Sequence, residues 1–277
     1  MLFRSELGSF LLLLLLALGV LIGAIMGLTG AGGGILAVPV LVGTLGWTMQ
    51  KAAPVALIAV ASGAAVGAID GFRLGLVRYK AATLMAICGI PLTRIGQDWA
   101  HELPQVGLLG GFGVLMLVIS ARFLKMSDSS FEQQNPNSLR MARINGETGK
   151  FIWTPLTALV LAAVGSLTGM MTGLLGVGGG FLIVPLMRRF TELSMQGIVA
   201  TSLFVITLVS GGGVINALAS GAQVPMMETL GFVAAMVSGM LAGRKVSRHL
   251  QPHHIQTGFG LLVIAVGFFM LWKAWHA

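Results

Sequence analysis

The chain alternates long apolar stretches with short polar turns, a pattern that predicts a bundle of membrane helices. Apolar segments cover about residues 9–28, 35–46, 52–69, 80–97 and 105–124, and then about 152–174, 181–187, 196–216, 226–243 and 255–275. Backbone outside helices and closed barrels is not tolerated in lipid, so these segments are predicted to be helical. The expected fold class is an all-α integral membrane protein.

The two short apolar segments each follow a glycine-rich run, and the two runs are copies. Residues 27–41 read GLTGAGGGILAVPVL and residues 173–187 read GLLGVGGGFLIVPLM, with nine of fifteen positions identical at an offset of 146 residues. We therefore interpret the chain as a duplication. Its expected parts are a first transmembrane repeat over 1–124, a polar cytoplasmic linker over 125–150 and a second repeat over 151–277, together forming one membrane domain.

The short segments leave two topologies open. A dozen residues span only ~18 Å of a ~30 Å hydrocarbon core, so the chain either continues straight through a kink or turns back as a broken or re-entrant hairpin. Cytoplasmic loops are enriched in Lys and Arg. If the chain turns back, thirteen of the seventeen bases lie on one side, leaving four opposite: Arg4, Lys51, Arg94 and Lys273. The straight alternative splits them ten to seven.

The reversing topology gives each half about five membrane segments, and this odd number makes the repeats inverted. Both termini are then expected outside and the 125–150 loop inside. The first apolar segment resembles a signal peptide, but it continues without a cleavage signature, so we expect a retained helix. Whether the short segments are re-entrant or fully spanning stays open at this point.

Composition excludes several classes of protein. With 56% hydrophobic and 9% charged residues, the chain is too apolar for an ordinary water-soluble domain, which needs roughly a quarter of charged residues. The net charge of +8 lies mainly in short loops, where it reads as an orientation signal rather than a nucleic-acid surface. The single cysteine allows no intrachain disulfide. We expect the lipid bilayer as the surroundings and no nucleic-acid partner.

The glycine runs are the candidate binding site. Inverted repeats with interrupted helices are a recurrent plan in secondary transporters, where the breaks meet near the midplane. Each new helix after a break presents free N–H groups and its positive end, which suits an anion. The predicted substrate-binding glycines are Gly32, Gly33, Gly34, Gly178, Gly179 and Gly180, and the predicted helix-break or hinge residues are Gly30, Pro39, Gly176 and Pro185.

Close helix packing is the alternative role for some of these glycines. Small residues at intervals of four are common where membrane helices touch. This alternative applies best to the outer glycines Gly23, Gly27 and Gly173. It applies less to the triple glycines, because three in a row disfavour a continuous helix.

The doubled motif G-x-x-G-x-G-G-G-x-x-x-x-P resembles the signature of the TauE/SafE family of sulfite and organosulfur anion exporters. The stretches LPQVGLLGGFGVLML and LQPHHIQTGFGLLVI are also similar to that family's fourth and last segments. The resemblance implies a carrier of small sulfur-containing anions such as sulfite, sulfoacetate or other sulfonates in a bacterial inner membrane. It also implies a possible homodimer.

Polar residues within the apolar segments are further candidates. Residues 199–204 read VATSLF where the first half has APVALI, so Thr201 and Ser202 are predicted to line an asymmetric substrate site. Arg94 could attract the anion, or it could be an interfacial arginine paired with Asp98. The histidines of KVSRHLQPHHIQ are interpreted as a solvated loop, and no metal or cofactor is expected.

Three functions remain open on this reasoning. The preferred one is an exporter of small anions by alternating access between the two glycine breaks. The chain could instead carry another small anion in the uptake direction, or serve as a non-transporting scaffold subunit. A membrane enzyme is disfavoured because the segments show no constellation of nucleophile, base or metal ligands.

Overall fold

The structure, a computed structural model, describes residues 2–30, 32–127, 153–191, 193–247 and 252–276. The regular elements in these ranges are all helices. A 3-10 segment, Gly32–Leu36, joins the first two of the α-helices. These are α1 (Leu2–Thr29), α2 (Ala37–Leu45), α3 (Met49–Arg73), α4 (Tyr79–Glu102), α5 (Gln105–Ser127), α6 (Pro155–Leu175), α7 (Gly180–Phe190), α8 (Met195–Ala219), α9 (Met226–Ser247) and α10 (Pro252–Trp275).

Every predicted apolar segment is a helix in this structure, and most helices extend a few residues beyond the apolar run. Polar side chains at the ends account for part of this extension. The Thr48 and Ser194 hydroxyls accept hydrogen bonds from the amides of Lys51 and Gly197, which caps α3 and α8. Of the predicted linker, residues 128–150 lie outside the described ranges, whereas residues 125–127 belong to α5.

The described helices are those of a multi-pass membrane protein. Six of them are long and apolar enough to cross a membrane, judged by length and composition. They also expose large apolar side chains such as Leu159, Ile215 and Met227, which are 67%, 69% and 84% exposed. A water-soluble protein rarely exposes so many large apolar side chains, whereas lipid accepts them.

Helices from the two halves pack against each other in pairs. The closest pairs are α4 with α6, α1 with α9, α5 with α10 and α3 with α8. Glycine makes this approach possible: a Cβ on Gly169 would collide with the Gly89 carbonyl, and a Cβ on Gly23 would collide with the Met236 carbonyl. Gly27 and Gly173 contact α9 and α4 in the same way. The packing role considered for these outer glycines is therefore confirmed.

The chain folds back on itself at each glycine run. Gly33 lies against Ile22 and Met26 of the preceding helix, since a Cβ there would be 2.7 Å from the Ile22 carbonyl oxygen. Gly179 lies in the same way against Thr168 and Thr172 of α6, with its Cβ position 2.8 Å from the Thr168 carbonyl oxygen. A chain that ran straight on would carry each glycine away from those residues. These contacts favour the hairpin over the straight alternative.

The bundle has two ends, which we name by their features. The pocket end brings together Met49–Gln50, Gln97–His101 and Ala217–Ala222 around an open cavity. The Arg244 end is formed by contacts between Gly67–Asp70, Arg78, Val199–Thr201 and Arg244. Gly176 of the second glycine run lies beside Ala53 at the pocket end, whereas Gly30 of the first run lies beside Val199 at the Arg244 end.

Candidate functional site

The two glycine runs meet inside the bundle. A Cβ on Gly34 would lie 3.2 Å from the Val177 carbonyl oxygen, which belongs to the other run. Val60 of α3 touches both runs, because it lies against Gly34 and against Gly178. Sequence reasoning placed both glycine runs in one site, and the contact between Gly34 and Val177 brings them together.

The helix preceding each run ends at a glycine with a left-handed backbone. Gly30 has φ +82° and Gly176 has φ +69°, a region that side chains with a Cβ rarely occupy. Their amides close the helices on the Met26 and Thr172 carbonyls at 2.8 and 2.9 Å. Both predicted hinge glycines therefore occupy positions where the backbone itself requires glycine, while their motion stays a prediction.

The two runs then differ in backbone conformation. The first winds at once into the 3-10 segment Gly32–Leu36 and reaches α2 without another left-handed residue in its described part. The second has Gly178 at φ +71° and Gly179 at φ +60° before α7 begins at Gly180. The runs are thus identical in their glycines and unlike in shape.

Hydroxyl groups surround the second run. Thr168, Thr172 and Ser210 are fully buried, and Thr172 donates to the Thr168 carbonyl at 2.8 Å. The hydroxyls of Thr168 and Ser210 have no hydrogen-bond partner in the structure. A buried hydroxyl without a partner costs about 1–3 kcal/mol, so this arrangement needs a compensating role.

The equivalent positions beside the first run are apolar. At the offset of 146 residues, Thr168 corresponds to Ile22, Thr172 to Met26 and Ser210 to Ala64. All three are buried or nearly so. Sequence reasoning selected neither Ser210 nor Thr168. Comparison of each glycine run's neighbours on the preceding helix would have identified the difference.

The hydroxyls that sequence reasoning selected are engaged in structural bonds. Ser202 donates to the Val199 carbonyl of its own helix at 2.9 Å. Thr201 accepts a bond of 3.1 Å from the Arg78 amide, where α4 begins. Both residues are fully buried and belong to the Arg244 end. Their role in substrate binding stays a prediction.

The two predicted hinge prolines lie in the short helices. Pro39 is buried in the first turn of α2, where a missing N–H disturbs nothing. Pro185 lies inside α7, so it removes one hydrogen bond from the middle of that helix. Gly180, the last of the predicted binding glycines, is buried as the first residue of α7.

The described cavity at the pocket end has a volume of about 180 Å³. Its polar lining comes from Gln50, Gln97, Asp98, His101 and Ser220, and Leu174, two residues before Gly176, also lines it. Arg94 is exposed one turn before Asp98 and does not line this cavity. Within the described ranges Arg94 forms no ion pair with Asp98, so its anion-attracting role stays a prediction.

Two matching links tie the halves together beside the site. Gln97 of α4 donates to the Gly213 carbonyl of α8 at 2.8 Å. Arg244 of α9 donates to the Gly67 carbonyl of α3 at 2.7 Å and also pairs with Asp70 at 2.8 Å. The two halves are therefore joined by a neutral link at the pocket end and by an ion pair at the Arg244 end.

No group of three metal-ligating side chains occurs within the described residues. The side chains of the three histidines in the segment KVSRHLQPHHIQ lie outside this part of the structure. Residue 249 is not among the described residues, and the side chains of residues 253 and 254 are not described.

Comparison with known proteins gives the family. The model of the sulfite exporter TauE/SafE family matches residues 15–270. A probable membrane transporter protein of Xylella fastidiosa is 29% identical over 93% of this chain and 94% of its own length. The probable membrane transporter protein YunE of Bacillus subtilis is 27% identical over 92% of this chain and 95% of its own.

A further probable membrane transporter protein, from Methanocaldococcus jannaschii, is 23% identical over 95% of this chain and 97% of its own length. No solved structure matches the chain. The expected resemblance is confirmed by a match that covers both glycine runs and nearly all described helices. The chain belongs to the TauE/SafE family of membrane transporters.

Proposed function

We propose that the protein is a secondary exporter of small sulfur-containing anions such as sulfite, sulfoacetate or other sulfonates. The anion would occupy a central site between the two glycine breaks, which open alternately to the two sides of the membrane. The observation that carries this proposal is the meeting of the two runs at Gly34 and Val177. Broken helices that meet between two repeats form the substrate site in many secondary transporters.

Contacts between the halves support inverted repeats. Gly30 touches Val199, and Gly176 touches Ala53. Gly30 and Gly176 are equivalent positions at the offset of 146 residues, and so are Ala53 and Val199, so the two contacts correspond to each other. The helix pairs correspond in the same way. α1 is equivalent to α6 and α9 to α4, and α1 packs on α9 as α6 packs on α4. The two contacts lie at opposite ends of the bundle. This is the arrangement that two repeats of opposite orientation would give.

The proposed orientation follows the distribution of basic residues. Arg73, Arg78, Arg188 and Arg244 cluster toward the Arg244 end, which would face the cytoplasm of a bacterial inner membrane. The pocket end and both termini would face outward. With a negative cell interior, export of each elementary charge gains about 2.3 kcal/mol per 100 mV, so outward flux of an anion needs no further driving force.

Flux of labelled sulfite from liposomes containing the purified protein tests the function directly. Gly34→Ala is the informative variant, because its Cβ would meet neighbours at 3.2–3.3 Å and the fold can adjust by a few tenths of an ångström. Gly179→Leu is the stronger change. Gly111→Leu is the control, because nothing lies within 4 Å of its Cβ position.

We expect slower flux for Gly34→Ala, none for Gly179→Leu and wild-type flux for Gly111→Leu. Flux that survives both site changes would contradict the central site. Sulfite and sulfoacetate uptake without export would favour a carrier in the opposite direction. Failure of the wild type to move any anion in a panel of small oxyanions would favour a scaffold subunit.

A further inference from the structure

We propose that, within the central site, the second glycine break supplies the groups that hold the anion: the hydroxyls of Thr168 and Ser210 and the amides at the start of α7. This inference rests on the proposed transport of small anions, and it names the residues that bind the anion. The first break is then the apolar counterpart of the binding break.

The donors of this site lie around two consecutive glycines. Ser210 Oγ is 3.1 Å from the position that a Cβ on Gly178 would take. Thr168 and Thr172 flank Gly179, whose Cβ position meets the Thr168 methyl group and lies 2.7 Å from Thr172 Oγ1 and 2.8 Å from the Thr168 carbonyl oxygen. A side chain at either glycine would collide with these neighbours. The two glycines therefore let the backbone of the second run lie directly against the hydroxyl-bearing residues.

Each group available for binding can donate a hydrogen bond and is unused. The hydroxyls of Thr168 and Ser210 are fully buried and have no partner. The amides of Gly178, Gly179 and Gly180 donate no hydrogen bond to another described residue. The amides at the start of a helix carry its positive end, and they favour negative charge. Unused donors favour a ligand that accepts hydrogen bonds.

The same groups limit the charge of the ligand. The atoms nearest to the Cβ positions of Gly178 and Gly179 belong to uncharged residues, so dipoles are the groups at hand to compensate the charge; these residues are Val60, Ser210, Ile206, Thr168 and Thr172. Burying a charge becomes more costly as the charge increases, and dipoles compensate it only partly. The site therefore fits a small oxyanion with a single negative charge, such as hydrogen sulfite or a monosulfonate.

The positions beside the first break that correspond to Thr168 and Ser210 carry no hydroxyl, and the Thr29 hydroxyl next to this break donates to the Ile25 carbonyl. Ile22 and Ala64 take the places of Thr168 and Ser210, and neither can hydrogen-bond an anion. The backbone also differs, because the first run forms a 3-10 segment in place of the left-handed glycines. A symmetric site shared between both breaks is therefore disfavoured.

The cavity at the pocket end lies beside the last turn of the helix that leads into the second break. Gly173 and Leu174 line this cavity, and the chain reaches Gly178 only four residues after Leu174. Gln50 and Gln97 supply uncharged polar groups to the cavity wall, and Asp98 supplies a carboxylate.

The test uses Thr168→Val and Ser210→Ala, which remove each hydroxyl with little change in volume. Sulfite flux is measured in liposomes, and the shift in unfolding temperature with added sulfite is measured in detergent. Each variant should raise the KM about tenfold and reduce the shift, as expected for the loss of one hydrogen bond to an anion. Thr83→Val and Ser62→Ala are the controls, since their hydroxyls bond to their own helices.

The two measurements separate failure of the site from failure of the function. If the wild type transports sulfite and both variants keep its KM and temperature shift, the site is wrong and the transport function stands. If the wild type is stabilised by sulfite through Thr168 and Ser210 without flux, the site stands and the export function is wrong. Absence of both flux and stabilisation with sulfite and methanesulfonate would overturn both.

Discussion

Gly176 lies against Ala53, so close that a Cβ on Gly176 would come within 2.7 Å of the Ala53 Cα. Gly30 lies against Val199 in the same way, and these two residues are the equivalents of Gly176 and Ala53 in the other half. Each helix break is therefore held by the half of the protein to which it does not belong. A movement of one break must displace a helix of the opposite half.

Gly176→Ala should destabilise the protein more than backbone strain alone explains. Both Gly176 and Gly46 have left-handed backbones, at φ +69° and +64°, but nothing lies within 4 Å of the Cβ position of Gly46. Gly46→Ala should cost about 1–2 kcal/mol in free energy of unfolding, from strain. Gly176→Ala should cost about 1–3 kcal/mol more, from the collision with Ala53. Chemical unfolding in detergent measures the difference, and equal losses would contradict the contact.

Gly169→Ala should separate α6 from α4. A Cβ on Gly169 would collide with the backbone of Gly89, which has no flexible side chain to move away. We expect loss of folded, monodisperse protein on size-exclusion chromatography. Gly111→Ala is the matched change in open space on α5 and should leave the yield of folded protein unchanged. Normal yield for Gly169→Ala would show that the helices pack less closely than described.

Asp70 and Arg244 should be energetically coupled through their ion pair. The residues that take their places in the other half of the chain are neutral, which suggests neutral substitutions for both. Asn216 corresponds to Asp70, and Gln97 occupies the place equivalent to Arg244 because it donates to Gly213 as Arg244 donates to Gly67. The double variant Asp70→Asn with Arg244→Gln should therefore be more stable than the sum of the single losses predicts.

The pair is partly exposed, with side chains 21% and 36% accessible, so the coupling should be modest. We expect about 0.5–1 kcal/mol from a double-mutant cycle on the free energy of unfolding. Additive single effects would show that the ion pair contributes nothing beyond its separate hydrogen bonds.

Sulfite flux should rise as the pH is lowered at constant total sulfite. Acid converts the doubly charged sulfite ion to singly charged hydrogen sulfite, which suits a site that has dipoles and no cation. Methanesulfonate keeps a single charge throughout, so its flux is the control and should change little between about pH 8 and pH 6. The ratio of the two fluxes removes effects of pH on the protein itself. A ratio independent of pH would contradict the preference for a single charge.

Hydropathy alone located the helices of this fold. A membrane segment must satisfy its backbone within itself, so a long apolar run such as 52–69 has no common alternative to the helix that the structure shows at Met49–Arg73. Ends were less predictable, because caps such as Ser194 extend helices through polar residues. The short segments were also found, since a glycine run marks where the helix must stop.

The choice of site residues was less complete. Thr201 and Ser202 stand out in the sequence as hydroxyls in an apolar run, but the structure shows both engaged in bonds to the backbone. Thr168 is equally apparent in the sequence, yet its importance depends on which residues the returning chain touches. Periodicity does not contain that information, because the contact between Thr168 and Gly179 depends on how the chain reverses.

The sequence by itself determined that the chain is a duplicated, all-helical membrane protein with two glycine breaks, because hydropathy, repeat spacing and glycine's backbone freedom are local properties. Only the tertiary structure decided that the first run forms a 3-10 turn beside Ile22 while the second forms left-handed glycines beside Thr168 and Ser210. The same glycine motif takes two shapes because each is packed against different neighbours. Those neighbours are brought together by folding and not by their order along the chain.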